Sequence, residues 1–312
     1  MLIKSFEEAK MTLGLRALAR RLQPSHPLYE QITRELQQAE AGEYGERYIV
    51  RQLEKLSYSM DIHILHNIRL SRPLPIQLDV VVVTPYEVII IESKNIRGDV
   101  QLKSKPRQMI RILDTGNRSI FNHPEVQLEE YVYGLQGFFR QHNVEAHVGG
   151  VIVFPFNNAR IDYENGMFPV IMSRELTNFL RQRNAQGERL DVQEIIALLL
   201  HHHTSYEPFP LCRYYDIEER AIRQGVFCPK CQLGMMHRLP LKWRCLSCYH
   251  TDSTAHYVTL QDYSMLISNH ITNKQAQYFL QINNRHIVKR ILATNCYSKV
   301  GVTKQSKYQI LP

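Results

Sequence analysis

The segment IQLDVVVVTPYEVIIIESKN, residues 76–95, constrains the fold more than any other stretch of the chain. Two aliphatic runs, Val80 to Val83 and Val88 to Ile91, flank a Thr84-Pro85-Tyr86 turn signal. A strand with one wet face alternates apolar and polar residues. A continuous apolar run instead needs cover on both faces, which in a globular chain means helices packed on either side of a sheet. The spacing predicts a hairpin with strands over 76–83 and 87–94. Side chains alternate across a strand, so Glu92 and Lys94 share one face at the end of the second run. Asp79 sits in the partner strand. Burying charge at the edge of a core is costly unless the charges are paired or used.

The rest of the chain supports an α/β reading. Residues 1–40 are predicted helical, with the N-terminal 22 residues amphipathic and a break at Pro24 to Pro27. GEYGERYIVRQLEKL, 42–56, has helical apolar spacing, and IHILHNIRL, 62–70, is a strand. GDVQLK and MIRILD are candidate strands. FNHPEVQLEEYVYGLQGFFRQ starts a helix behind an Asn122 cap. AHVGGVIVFP and FPVIM are strands, and SRELTNFLRQ and DVQEIIALLLHHH are helices. The length of 312 residues suits two or three domains. The expected division is a helical extension over 1–37, an α/β domain over 38–211, a linker and cysteine ribbon over 212–256, and a basic domain over 257–312.

Charge is distributed unevenly. Residues 212–312 carry 14 Lys+Arg against 5 Asp+Glu, and the first 211 carry 24 against 25. The whole net charge of +8 therefore comes from the last third, the footprint of a polyanion-binding module. A solvated basic face is the competing reading. The sequence has no apolar run long enough for a bilayer span and no signal-peptide pattern, so a cytoplasmic protein without a membrane partner is expected.

Asp79, Glu92 and Lys94 fit metal-assisted phosphodiester hydrolysis. Carboxylates on adjacent strands can hold a hard cation such as Mg2+ (or Mn2+) through oxygen, and a lysine on the same face can stabilise developing charge. Glu46, with Glu43 one turn earlier, is the candidate third acid. Gln127 and Tyr131 lie four apart on one helix face, where they can bond across the site. A capped turn at Asp79 and a surface pair at Glu92 and Lys94 remain the ordinary alternative.

Residues 42–135 resemble the nuclease-related domain (NERD) family, a branch of the restriction-endonuclease-like PD-(D/E)xK superfamily. GEYGERYIVRQL, IQLDVVVV, VIIIESKNIRG and NHPEVQ carry the likeness. It implies a restriction-endonuclease-like mixed sheet flanked by helices. It also implies a site of Glu46, Asp79, Glu92 and Lys94, with Gln127 as an auxiliary polar group. Mg2+ would be held by Asp79, Glu92 and the carbonyl of Ser93. Val80 and Ile96 stand where the family often has histidine and an aromatic, and His123 separates Asn122 from Pro124; none of these removes an implied metal ligand.

Cys228-x2-Cys231 and Cys245-x2-Cys248 are separated by 13 residues. Each pair is a tight turn that aims two thiolates at one point, so four cysteines are expected to form a closed, structural Zn2+ site, with two dithiols or an iron cluster as the alternatives. Trp243 beside the second pair is a candidate nucleic-acid contact, with packing on the ribbon as the alternative. Cys212, Cys296 and the histidines at 201–203 are assigned no chemistry. In the tail, a helix capped by Thr272, a turn at Asn283-Asn284, a basic helix and two short strands resemble a winged helix-turn-helix. Arg285, Lys289, Arg290, Lys304 and Lys307 are its candidate phosphate contacts.

The expected function is Mg2+-dependent hydrolysis of nucleic acid, with DNA the expected substrate and endonuclease action the expected mode, the tail and ribbon holding the substrate. The alternatives are a non-catalytic DNA-binding protein and a regulator whose tail docks a protein partner.

Overall fold

The computed structural model describes residues 1–163, 166–183, 188–232, 234–296, 298–301 and 306–310. In the first part of the chain the elements are β1 (Leu2–Lys4), α1 (Lys10–Arg21), α2 (Tyr29–Leu56), β2 (His63–Leu70), β3 (Ile76–Val83), β4 (Val88–Ser93), β5 (Gly98–Ser104), β6 (Arg107–Ile112) and β7 (Arg118–Asn122). Next come α3 (Pro124–Gln141), β8 (Val148–Phe154), β9 (Ala159–Tyr163), β10 (Val170–Met172), α4 (Leu176–Gln182), α5 (Val192–His202) and α6 (Leu211–Tyr214). The last are β11 (Met236–Leu239), β12 (Lys242–Cys245), β13 (Thr251–Asp252), α7 (Ala255–Leu266), β14 (His270–Thr272), α8 (Asn273–Leu280), α9 (Arg285–Asn295), β15 (Ser298–Val300) and β16 (Lys307–Gln309).

Contacts gather the chain into two units, one of residues 1–8 and 40–205, the other of 9–39 and 206–312. The sequence reading set residues 1–37 apart as an extension; the contacts join most of that stretch to the C-terminal unit.

The first unit is built on a six-stranded mixed sheet of order β1-β2-β3-β4-β8-β10. The hairpin β3–β4 pairs antiparallel with Val80 opposite Ile91, and β4 pairs parallel with β8. Its aliphatic runs divide by parity. Val81, Val83, Val88 and Ile90 join Leu128, Leu135 and Phe138 of α3 in one core. Val80, Val82, Ile89 and Ile91 join Ile49 and Leu53 of α2 and Leu176 of α4 in the other. The two-sided cover that the runs demand is therefore supplied by helices on both faces. A second sheet, β7-β6-β5-β9, belongs to the same unit.

Two local expectations are corrected. Residues 2–4 form a strand parallel to β2, and helix starts only at Lys10. The amphipathic pattern hid a nonlocal pairing with a strand some 60 residues on. The cap of α3 is His123, whose ring accepts from the backbone N–H of Glu125. Asn122 is instead the last residue of β7, paired with Gln108.

The second unit has its own core, to which Leu15 and Leu18 of α1, Leu211, Trp243, Leu260 and Phe279 contribute. Arg21 of α1 is fully buried in it. Its Nε donates to Asp262 Oδ2 of α7 at 2.7 Å and its Nη1 to the carbonyls of Arg223 and Gly225 at 3.0 and 3.1 Å. Arg20 donates to both oxygens of the same carboxylate at 2.6 and 2.8 Å. The C-terminal elements run helix, strand, helix, helix, hairpin, with the strands ordered β14-β16-β15. Thr272 caps α8 in a capping box with Gln275, and Asn284 caps α9 by accepting from His286 and Ile287. Among the described residues no helix is long and apolar enough to cross a membrane.

Candidate functional site

Asp79 and Glu92 stand just beyond the Val80–Ile91 pair of the β3–β4 hairpin, on the strand faces that carry Val81 and Ile90. The backbone N–H of Ser93 donates to Asp79 Oδ2 at 3.0 Å, which ties the aspartate to the neighbouring strand. Glu92 is 1% exposed. Its Oε1 accepts from Lys94 Nζ at 2.5 Å, whereas its Oε2 is buried with no hydrogen-bond partner, as is Ser93 Oγ. Lys94 Nζ also donates to Gln127 Oε1 on α3 at 3.1 Å, and Gln127 Nε2 donates to the Tyr131 hydroxyl at 2.8 Å. The i, i+4 spacing of Gln127 and Tyr131 thus holds the amide in one orientation for the lysine.

Glu46 comes from α2. That helix passes close to the end of β4 because position 45 is glycine. A Cβ there would meet Asn95 Cβ and Pro155 Cγ at 3.0 Å and Ser93 Oγ at 3.3 Å. Glu46 Oε2 lies 2.9 Å from Nε2 of His66 in β2. His66 is buried, and burial holds its imidazole down to about 4. It is therefore neutral at pH 7, and its Nε2 shares one hydrogen bond with the Glu46 carboxyl group. His66 is a site contact that the sequence reading missed. Its only signal there was one polar ring inside the buried run of β2.

The three acids perturb one another. Burial pushes Glu46 up to about 7, with the charges of Glu43 and Glu92 adding to it. Burial and the charge of Glu46 push Asp79 up to about 7. Burial and the charge of Asp79 push Glu92 up to about 8. Burial lowers Lys94, but Glu92, Asp79 and Glu46 outweigh it, so the ammonium is held above its ordinary value. One lysine thus stands among three carboxylates, and the cluster at full ionisation is short of positive charge. The structure brings together Glu46, Asp79, Glu92, Lys94 and Gln127.

Residues 41–155 match the family model of the nuclease-related domain, NERD. The stretch runs from α2 to the end of β8 and contains all five of these residues. The NERD match leaves β10, α4, α5 and the whole of residues 206–312 outside it. Neither the curated proteins nor the solved structures contain a match to the chain.

The donor set of the NERD site fits a hard divalent cation. It offers carboxylate oxygens, one of them buried and unpartnered, and a surplus of negative charge. The fit is looser than at the cysteines. Among the described residues, Cys228, Cys231, Cys245 and Cys248 are the one group of three or more metal-binding side chains gathered within 4.8 Å.

The cysteines lie on two turns flanking the hairpin β11–β12. Sγ of Cys228 is 3.7 Å from that of Cys248, and Cys231 the same distance from Cys245. A tetrahedron with Zn–S bonds of about 2.3 Å has edges of about 3.8 Å, so the sulfurs stand at zinc spacing and could hold that ion. Position 234 is again glycine for a steric reason: a Cβ would fall 2.6 Å from Cys245 Sγ. The amides of Cys248 and Ser247 point at Cys245 Sγ from 3.4 Å and pull its thiol down to about 6.

Trp243 requires a correction. It is 1% exposed, and its Nε1 donates to His256 Nδ1 at 3.1 Å inside the core of the second unit. A ring so enclosed has no face for a base, and packing on the ribbon is its role. Arg285, Lys289 and Arg290 are exposed on α9, and Lys307 is exposed on β16. Lys304 lies outside the described residues. Cys212 is buried, which pushes its thiol up to about 12, as suits a packing residue.

Proposed function

We propose that this chain is a metal-dependent nuclease that hydrolyses phosphodiester bonds, acting on DNA as an endonuclease. The supporting observation is the convergence of Glu46, Asp79 and Glu92 on one lysine, with all three acids pushed up to about 7 or 8. Burial is the larger cause of these shifts and mutual repulsion the smaller, and natural folds tolerate such perturbed acids where the charge is used.

Asp79, Glu92 and the carbonyl of Ser93 would hold Mg2+ or Mn2+. When bound, such an ion polarises the phosphate and lowers the pKa of a coordinated water. Asp79 is kept in place by the Ser93 amide. Lys94 carries a permanent positive charge, oriented by Gln127, to where charge develops on the phosphate oxygens. Glu46, near neutral in proton affinity at about 7, is placed to take a proton from the attacking water. His66 fixes the Glu46 carboxyl group through a hydrogen bond to one oxygen.

The cysteines hold a structural Zn2+ that supplies folding free energy to a ribbon with little core of its own. Arg285, Lys289, Arg290 and Lys307 contact phosphates of the substrate. One observation favours a second reading, a nuclease fold retained as a nucleic-acid-binding scaffold. Lys94 already pairs with Glu92 and neutralises part of the site without an ion.

The test is cleavage of supercoiled plasmid and of labelled single-stranded DNA and RNA by the full chain, with Mg2+ or Mn2+ and with chelator. Cation-dependent nicking supports the proposal. Binding without cleavage of any form transfers support to the scaffold.

A further inference from the structure

The second unit contains a cavity of about 850 Å3 between the tip of the β11–β12 hairpin, the start of α7 and one side of α9. That volume suits a small molecule or a single nucleotide. Its lining has two characters. Leu239, Leu241 and Ile291 give an apolar wall, and Tyr257 adds an aromatic ring. Among the described residues, Arg238 and Arg290 are its only charged side chains and no acid lines it. His256, also in the wall, is held down to about 4 by burial and adds no charge at pH 7.

The arginines are unusual in what they lack. Neither is in an ion pair with any described residue. Arg238 Nη1 is buried and has no hydrogen-bond partner, although its guanidinium lies over the Trp243 ring at 5.2 Å. A buried guanidinium N–H without an acceptor costs free energy. The charge of Arg290 adds to that cost, and burial together with Arg290 lowers the proton affinity of Arg238. Two guanidiniums line one cavity, and among its described lining residues no acid balances them, which suits an anionic ligand.

We infer that the Arg238–Arg290 cavity binds a terminal phosphate monoester carried on a nucleoside. A phosphate monoester bears a charge of about −1.5 to −2 near neutral pH and offers three acceptor oxygens, whereas an internal phosphodiester bears one charge. The dianion balances two guanidiniums, and arginine matches phosphate geometry. The nucleoside lies against the apolar wall and Tyr257. The site is separate from the NERD residues and does not depend on their activity. The ligand is either a free nucleotide or the phosphorylated end of a strand.

Trp243 is the only tryptophan in the chain, and it touches both Arg238 and His256 of the cavity wall. Its fluorescence reads occupancy directly. The full chain, with zinc and without other divalent cation, is titrated with deoxyadenosine 5′-monophosphate, with deoxyadenosine and with inorganic phosphate. The same is done with one single-stranded deoxyoligonucleotide bearing either a 5′-phosphate or a 5′-hydroxyl. The nucleotide is expected to bind at least about tenfold more tightly than deoxyadenosine or phosphate alone, the worth of one charge-assisted hydrogen bond. Arg238→Met and Arg290→Met are each expected to remove most of that advantage.

A 5′-phosphate preference in the oligonucleotide, lost in the same variants, assigns the site to strand ends. A preference confined to the mononucleotide assigns it to free nucleotide. Equal binding of nucleotide and deoxyadenosine overturns the inference, as does a nucleotide affinity unchanged in Arg290→Met. Arg290 is exposed on α9, so that variant decides the matter even if Arg238→Met fails to fold.

Discussion

Replacing Asp262 by alanine tests how the N-terminal helix is held in the second unit. Asp262 is the shared acceptor of Arg20 and Arg21, at 2.6 and 2.7 Å. The Arg21 side chain is 1% exposed. Its guanidinium lies over the rings of Phe227 and Phe279, 4.9 and 4.8 Å from their centroids. Without the carboxylate, Arg21 keeps two carbonyl acceptors but loses its counter-charge in a place water does not reach. Breaking one side of a buried ion pair costs about 3–5 kcal/mol, against a typical total stability of about 5–15 kcal/mol. Arg21→Met should cost less, because Asp262 then keeps Arg20, whose side chain is 17% exposed. The double variant Arg21→Met with Asp262→Leu should be more stable than Asp262→Ala, since the fully buried charge of Arg21 is gone and only the less buried Arg20 is left without its partner. Urea unfolding of the full chain at fixed zinc, followed by Trp243 fluorescence, reads this unit alone because the only tryptophan lies in it. A cost below about 1 kcal/mol for Asp262→Ala would refute the reasoning.

Removing zinc with a chelator should unfold the β11–β12 hairpin and red-shift Trp243, and readdition of Zn2+ should reverse both; an unchanged spectrum would count against the metal. The first unit without divalent cation should lose stability as pH rises. Glu46, Asp79 and Glu92 have folded-state values of about 7, 7 and 8, above their ordinary 4.5, 3.8 and 4.5. The folded state therefore binds protons that the unfolded state has released, and this stabilisation is lost as pH climbs through 8. His66, held down to about 4, works in the opposite sense below about pH 6.5, so the fall is cleanest between pH 6.5 and 8. Circular dichroism melts should show it, with Mg2+ restoring most stability at the alkaline end; a flat profile would contradict the raised proton affinity that burial, and after it mutual repulsion, gives the three acids. Replacing Arg285, Lys289 and Arg290 together by glutamine should weaken DNA binding and reduce its salt slope by about 3, and an unchanged slope would favour protein docking by the tail.

What the sequence made legible follows from local periodicity. The runs at Val80–Val83 and Val88–Ile91 required cover on both faces, and α2, α3 and α4 supply it. Alternation along β4 put Glu92 and Lys94 on one face, and their 2.5 Å contact follows from it. The cysteine spacing announced four sulfurs around one point. What was hidden depends on partners far away in the chain. Arg20 and Arg21 look like the basic last turn of an exposed helix, and only the fold supplies Asp262 some 240 residues later. Leu2–Lys4 borrows its strand conformation from β2. Trp243, flanked by two cations, resembles a stacking platform until the core closes over it. His66 gives no sign in sequence that α2 will bring Glu46 to its ring.

The most direct measurement is the Mg2+-dependent nicking rate of supercoiled plasmid by the wild-type chain and by Asp79→Asn, with zinc content, Trp243 fluorescence and melting checked in both. Asp79→Asn keeps the size of the side chain and an acceptor for the Ser93 amide while removing one of the charges proposed to hold the cation. The account predicts nicking by the wild type and a loss of at least about a hundredfold in the variant, on the scale of one catalytic group. Equal rates would contradict it.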